Sequence, residues 1–295
     1  MSATVDAGDL DERERNALEV LCKRLADDEF VIAERYTEWQ VRAPSLESDL
    51  ALSNIAQDEL GHARLWYDVL MDLGYDERDL VYERDPDEWV HSTLAELPFE
   101  DGDWADPIVR SYLYDVAEEI RLAALEQSSY PKIADRVGKI QGEEDYHLEH
   151  AQNWMERLAA GDGHDRLQQA VDRLFPHALT LFEPCVPRSE TGSDESQTDV
   201  EDDIVELGLR NATLAEMGEE WLSIVVPYLE SLDLDVPESG IEELDGYTVT
   251  DEMLPDDVGR DGSHTEAWDE LFEEFTHTYR DLGRQKPTKI MDPPE

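Results

Sequence analysis

An all-α fold, a four-helix bundle with extra helices appended at its C-terminal end, is predicted by three features of this 295-residue sequence. Apolar residues recur at i, i+3 and i+4 through four long segments of the first half. The connections between these segments are short, except the one joining the second to the third. Strand patterning is missing, because Tyr247-Thr248-Val249-Thr250 is too short to anchor a sheet. Four long helices with one long crossover is the layout of ferritin-like bundles.

Residues 1–10 read as a flexible acidic tail. From about Glu12 to Gln40, Leu18, Leu21, Leu25, Phe30, Ala33 and Trp39 mark one apolar face, with a bend expected near Asp27-Asp28. A second helix is expected from Pro44 to Leu73, stopped by Gly74. Residues 75–105 read as irregular. Asp106-Pro107, a cap residue followed by proline, starts a third helix that runs to about Ser128. A fourth runs from Pro131 to the residue before Gly161. Beyond Gly163 comes a helix interrupted by Pro176, then a polar mobile loop over 187–203, then a helix from Asn211 to Leu232. Ser263-x-x-Glu266 reads as a capping box that opens a last helix, ended by Gly283. The expected organisation is a single ferritin-like domain over 11–284. It has a core bundle at 11–162, an extension at 164–284 and a tail at 285–295.

Composition narrows the function classes. The chain has 74 acidic and 24 basic residues, a net charge of −50, and only five lysines. Such a surface repels nucleic acid and anionic membranes. On a folded chain it suggests a halophilic host. Two distant cysteines, Cys22 and Cys185, imply a reducing cytoplasm and no disulfide framework. No secretory signal opens the sequence and no run is long and apolar enough to span a membrane.

Two stretches carry the chemistry: Asp58-Glu59-Leu60-Gly61-His62 and Glu143-Glu144-Asp145-Tyr146-His147. Each contains Glu-x-x-His, which on a helix places both side chains on one face. The motif alone is weak, since 38 glutamates and eight histidines make it common by chance. Glu88/His91 and Glu274/His277 repeat it and can be ordinary surface pairs. Glu59 and Glu144 stand apart because a glutamate lies twenty-five residues before each, Glu34 and Glu119. Two equal helical hairpins would then each supply one glutamate and one Glu-x-x-His pair, the ligand set of a carboxylate-bridged two-metal bundle. Taking Val109, Leu113, Val116 and Ile120 as the inward stripe of the third helix selects Glu119 and leaves Glu118 in solvent. The predicted ligands are therefore Glu34, Glu59, His62, Glu119, Glu144 and His147. Four carboxylates and two imidazoles without thiolate suit two iron ions, with manganese possible. Asp58 and Glu143 are candidates to accept hydrogen bonds from the histidine of the opposite hairpin, and His150 is a further neighbour. Beyond the metal ligands no catalytic residue is predicted.

Several separated motifs then resemble one family. Glu34-Arg35-Tyr36-Thr37-Glu38-Trp39, Ala43-Pro44-Ser45-Leu46-Glu47-Ser48-Asp49-Leu50, Gly61-His62-Ala63-Arg64, Glu143-x-x-Tyr146-His147-Leu148-x-His150 and Gly262-Ser263-His264-Thr265-Glu266 are similar, in order, to the phenylacetic acid catabolic family. Its members are subunits of a multicomponent phenylacetyl-CoA ring 1,2-epoxidase, and the overall resemblance is to the C subunit. The resemblance implies an oxygen-dependent di-iron monooxygenase of phenylacetate catabolism acting on a CoA thioester. It also implies a homologous catalytic-type subunit, a small coupling subunit and a reductase as partners. In that family the C subunit is a structural partner whose metal site is typically degraded, whereas the ligand types here are intact. The alternatives are a non-catalytic partner subunit, or a ferritin-like di-iron oxidase of unrelated substrate.

Overall fold

The computed structural model describes residues 10–40, 42–99, 103–185, 197–237 and 251–282. Residues 1–9 of the expected N-terminal tail, the C-terminal tail with Gly283, the first part of the loop at 187–203 and the Tyr247–Thr250 stretch lie outside them. Every regular element among the described residues is helical.

Helix α1 (Glu12–Glu38) begins at a capping box between Asp11 and Glu14 and runs unbroken through Asp27-Asp28. Helix α2 (Leu46–Asp72) is capped by Ser45, and Gly74 follows it with φ 99°, a conformation that favours glycine. The crossover holds two short helices, α3 (Glu77–Val81) and α4 (Thr93–Glu96), with a 3₁₀ turn at Pro86–Glu88 between them. Helix α5 (Ala105–Leu125) starts one residue before Asp106. Asp106 is therefore not its cap but a buried first-turn residue that pairs with Arg110 and Arg173. Helix α6 (Pro131–Ala159) carries proline at its first position, where no N–H is needed. The long helices pack as two hairpins, α1 along α2 and α5 along α6, with α2 and α6 also in contact.

Helix α7 (His164–Leu179) is not interrupted at Pro176. The proline falls in its last turn, where one lost backbone bond is tolerated before the 3₁₀ turn Thr180–Phe182. The second part of the expected loop is helix α8 (Gln197–Glu206), which packs on α1. Helix α9 (Leu214–Ser231) opens with a Thr213–Glu216 capping box and packs on α5. Helix α10 (Glu266–Asp281) is capped at Thr265, not Ser263. Ser263 is occupied locally by Asp261, while the Thr265 N–H is taken by Glu96 Oε1 at 2.7 Å.

The placement of α7 and α9 matters most. They cover the side of α5 that faces away from α1 and α2. Trp221 donates its indole N–H to Leu113 O at 3.0 Å, and the Tyr112 and Tyr228 rings lie 4.6 Å apart. Only Glu119 and Ala123 of α5 are exposed.

Candidate metal centre

Along α1, Leu18, Cys22, Leu25, Glu29, Ile32 and Tyr36 follow one another at spacings of three and four and are all buried. Glu29 therefore interrupts an apolar stripe with a carboxylate aimed into the bundle. Helix α2 brings Glu59 and His62 to the same level, α6 brings Glu144 and His147, and α5 brings Asp115 and Glu118. None of these seven side chains is more than 4% exposed.

The imidazoles present Nδ1 to the interior. His62 Nδ1 lies 3.1 Å from Glu144, 3.7 Å from Glu59 and 3.9 Å from Glu29. His147 Nδ1 lies 3.4 Å from both Glu59 and Glu144. Each Nε2 turns outward to the opposite hairpin. His62 Nε2 is 2.7 Å from Glu143, and His147 Nε2 is 3.4 Å from Asp58. A carboxylate behind an imidazole fixes the ring and its tautomer, leaving the other nitrogen free to ligate.

The charges are crowded. Burial, then the charges of Glu59 and Glu118, hold the Glu29 carboxyl well above the usual range. Burial and Glu144 do the same to Asp115. Burial also raises Glu118, against the pull of Arg121. Burial alone would lower both histidines, but Glu144 and Glu59 outweigh it and push His62 up to about 11 and His147 up to about 12. Both oxygens of Glu29, Glu59 and Glu144, one of Asp115, and both Nδ1 atoms are buried without a hydrogen-bond partner. So many orphaned donors of metal-ligand type fit cations at the centre. Glu29, Glu59 and His62 form one group of ligand atoms that could hold a metal ion, and Glu59, Asp115, Glu144 and His147 form a second, sharing Glu59.

Glu59, His62, Glu144 and His147 are thus brought together, with Asp58 and Glu143 behind the rings. Glu34 and Glu119 are not, and both are corrected. Glu119 is exposed and Glu118 buried, the reverse of the expected pair. The apolar face of α5 turns to α9, so its polar stripe is the one facing the bundle. Glu34 lies part-buried near Glu274 and Glu38, and burial, then those two charges, raises it to about 7. The spacing of twenty-five fails because the hairpins are unequal. Seven residues link α1 to α2 and five link α5 to α6; Glu29 stands thirty residues before Glu59, while Glu118 and Asp115 stand twenty-six and twenty-nine before Glu144. His150 sits one turn beyond His147, lining a surface groove of about 220 Å³ with Tyr146, Trp154 and Arg157.

Fold and site define a ferritin-like helical protein with a carboxylate–histidine centre between its two hairpins. The chain belongs to the phenylacetic acid catabolic protein family, which matches residues 1–286. It is similar to the C subunit of the 1,2-phenylacetyl-CoA epoxidase of Escherichia coli (strain K12), 36% identical over 174 residues, covering 57% of this chain and 68% of that relative. The A subunit of the same enzyme is 27% identical over 202 residues, covering 68% of this chain and 62% of that relative.

Proposed function

We propose that this chain is a di-iron subunit of a phenylacetyl-CoA epoxidase-type monooxygenase in phenylacetate catabolism. The observation that carries the reading is the convergence of Glu29, Glu59/His62, Glu144/His147 and an α5 carboxylate, with their ligand atoms buried and unpartnered. These residues would hold the ions, with iron preferred over manganese for oxygen chemistry. When bound, the iron supplies reductive activation of O₂ for transfer of one oxygen atom to an aromatic ring. The chain's own residues do the rest. Glu143 and Asp58 orient the imidazoles, and the apolar flanks of α1 and α5 exclude water. The names of the relatives, subunits C and A of one epoxidase, support work within a complex of homologous subunits, to which we add a coupling protein and a reductase as proposed partners. The acidic surface supports a salt-rich cytoplasmic setting. No helix among the described residues is long and apolar enough to cross a membrane.

The test is metal content after expression with added iron. Two iron ions per chain are expected, falling below one in Glu59→Ala, together with ring oxidation when the partner subunits and reductant are supplied. Less than about one iron in the native chain, unchanged by Glu59→Ala, sinks the reading. The higher identity to the C-type relative than to the A-type one favours a second reading, a non-catalytic partner that keeps its site. Activity of the complex that survives His62→Ala and His147→Ala would select it.

A further inference from the structure

A continuous line of aromatic rings runs from the metal centre to the surface. It begins at Tyr36, which follows Glu29 by two turns on the buried face of α1. Burial, then the charges of Asp115 and Glu59, hold the Tyr36 hydroxyl well above its usual value, so the ring lies beside the carboxylates of the centre. Tyr36 stacks on Phe99 with 6.2 Å between ring centres, and Phe99 lies 5.7 Å from Trp39. Trp39 is 6.1 Å from Trp104, and Trp104 is 5.6 Å from Trp154. Tyr36, Trp39 and Trp104 are buried. Trp154, part-buried on α6, lines the groove that opens beside Tyr146 and His150. Packing alone does not call for an indole at Trp104. Its N–H is buried and meets no acceptor among the described residues, a cost that phenylalanine would avoid. A side chain kept against such a cost points to a property of indole other than its volume. Indole is among the side chains that give up a single electron most readily.

Building on the metal-centre reading, we propose that Trp39, Trp104 and Trp154 form a one-electron relay between the metal centre and the outer face of α6, with the Tyr36 and Phe99 rings bridging the first gap. Phe99 resists oxidation, so it lends its π-system without holding a charge itself. An oxidised centre draws one electron from Trp39, leaving an indole radical cation. Trp104 refills Trp39, Trp154 refills Trp104, and a one-electron reductant at the surface refills Trp154. No bond forms or breaks, and one electron enters at the surface for each that reaches the centre. With no acceptor for the Trp104 N–H among the described residues, the charge crosses that ring without a proton transfer. Run in this direction, the relay discharges oxidising equivalents that find no substrate. One shorter route competes with it: the Tyr146 ring, 47% exposed, lies 6.3 Å from that of His147.

The experiment uses the full chain, stripped with chelator and loaded with Mn²⁺, so that no turnover is involved. Tris(bipyridine)ruthenium(II), excited by light and quenched by persulfate, supplies the ruthenium(III) oxidant in solution. It takes one electron from Trp154, and the relay takes one from bound Mn²⁺ to give Mn³⁺. In the native chain the electron paramagnetic resonance signal of bound Mn²⁺ should fall on illumination. In Trp104→Phe it should keep its dark intensity, with a tryptophan radical left on Trp154. Tyr146→Phe should behave as the native chain does. Equal signal loss in the native chain and Trp104→Phe, or a loss abolished by Tyr146→Phe, overturns the relay while leaving the metal centre standing. Bound Mn²⁺ that illumination does not oxidise in the native chain overturns it as well. No bound Mn²⁺ in the native chain overturns the centre and the relay together. If Trp104→Phe does not fold, judged by helical circular dichroism, Trp154→Phe is read in its place, and retention or loss of the Mn²⁺ signal decides in the same way.

Discussion

Glu29 lies in a field of like charge. Its carboxylate is buried, and Glu59, Glu118 and Glu144 all raise its pKa. An acid with a raised folded pKa favours folding below its unfolded value and opposes it as pH climbs above. At neutral pH in the chelated protein, Glu29→Gln removes that opposition at nearly constant shape. The expected outcome is a gain of about 1–2 kcal/mol in unfolding free energy, measured by urea titration in chelator, alongside a loss of metal affinity. A loss of stability would mean that Glu29 is not under repulsion. At this scale the two Glu-x-x-His pairs were legible, because their spacing is local and fixed by the helix. Glu29 and Glu118 were not read. Glu29 is in register with Leu18, Cys22 and Leu25, and that face alone could have marked it. Glu118 against Glu119 could not be settled from one helix, since the choice depends on what packs behind α5.

Between elements, Glu96 joins the crossover to the segment before α10. Its Oε2 is 2.7 Å from both His91 Nε2 and His264 Nδ1, and its Oε1 accepts from the Thr265 N–H. The His91 and His264 rings stack at 4.3 Å. With every Glu96 oxygen engaged, this trio reads as a latch. Burial, then the neighbouring His264 ring, lowers His91 to about 4. Burial alone would raise Glu96, but His264 and His91 outweigh it and bring it to about 2. Between pH 6.5 and 4 the unfolded chain takes up a proton that folded His91 refuses, so stability falls with pH across that window. Below about 4.5 the unfolded Glu96 carboxyl protonates first, and stability falls further toward pH 2. Between pH 7 and pH 4 His91 should therefore cost about 3 kcal/mol of unfolding free energy, set against the gain from Glu29, Glu34, Asp115 and Glu118, whose raised carboxyls act in the opposite direction. In His91→Gln the urea unfolding free energy should lose less than in the native chain between pH 6.5 and 4, by about the His91 amount, with the contribution of His177, which burial also brings to about 4, left in place. An unchanged slope would remove His91 from the account. None of this latch was legible, because Glu96 and His264 are 168 residues apart. The helix bounds that local periodicity and glycine or proline stops define, in α1, α2 and α6, were read to within a few residues.

Over the whole molecule, the two-hairpin bundle with a long crossover was legible from segment lengths and linkers. The seating of α7 and α9 was not, since periodicity says which face is apolar but not which neighbour covers it. The net charge of −50 was legible as well, and it has a consequence at this scale. Self-repulsion acts on the compact state more than on the expanded chain, because folding brings the charges closer together. Salt shortens the range of that repulsion from about 10 Å at 0.1 M to about 3 Å at 1 M. Buried ion pairs such as Asp28–Arg260 lie beyond its reach, so added salt relieves repulsion at the surface without loosening the interior. The melting temperature should rise steadily as KCl goes from 0.1 to 2 M, measured by differential scanning calorimetry on the chelated protein. Sucrose separates this from a general solvent-exclusion effect: it stabilises by exclusion but screens nothing. A larger gain per unit of osmolality in KCl than in sucrose is the mark of screening. Equal gains would assign the effect to exclusion, and a flat or falling curve would show that the acidic surface imposes no net repulsion for salt to relieve.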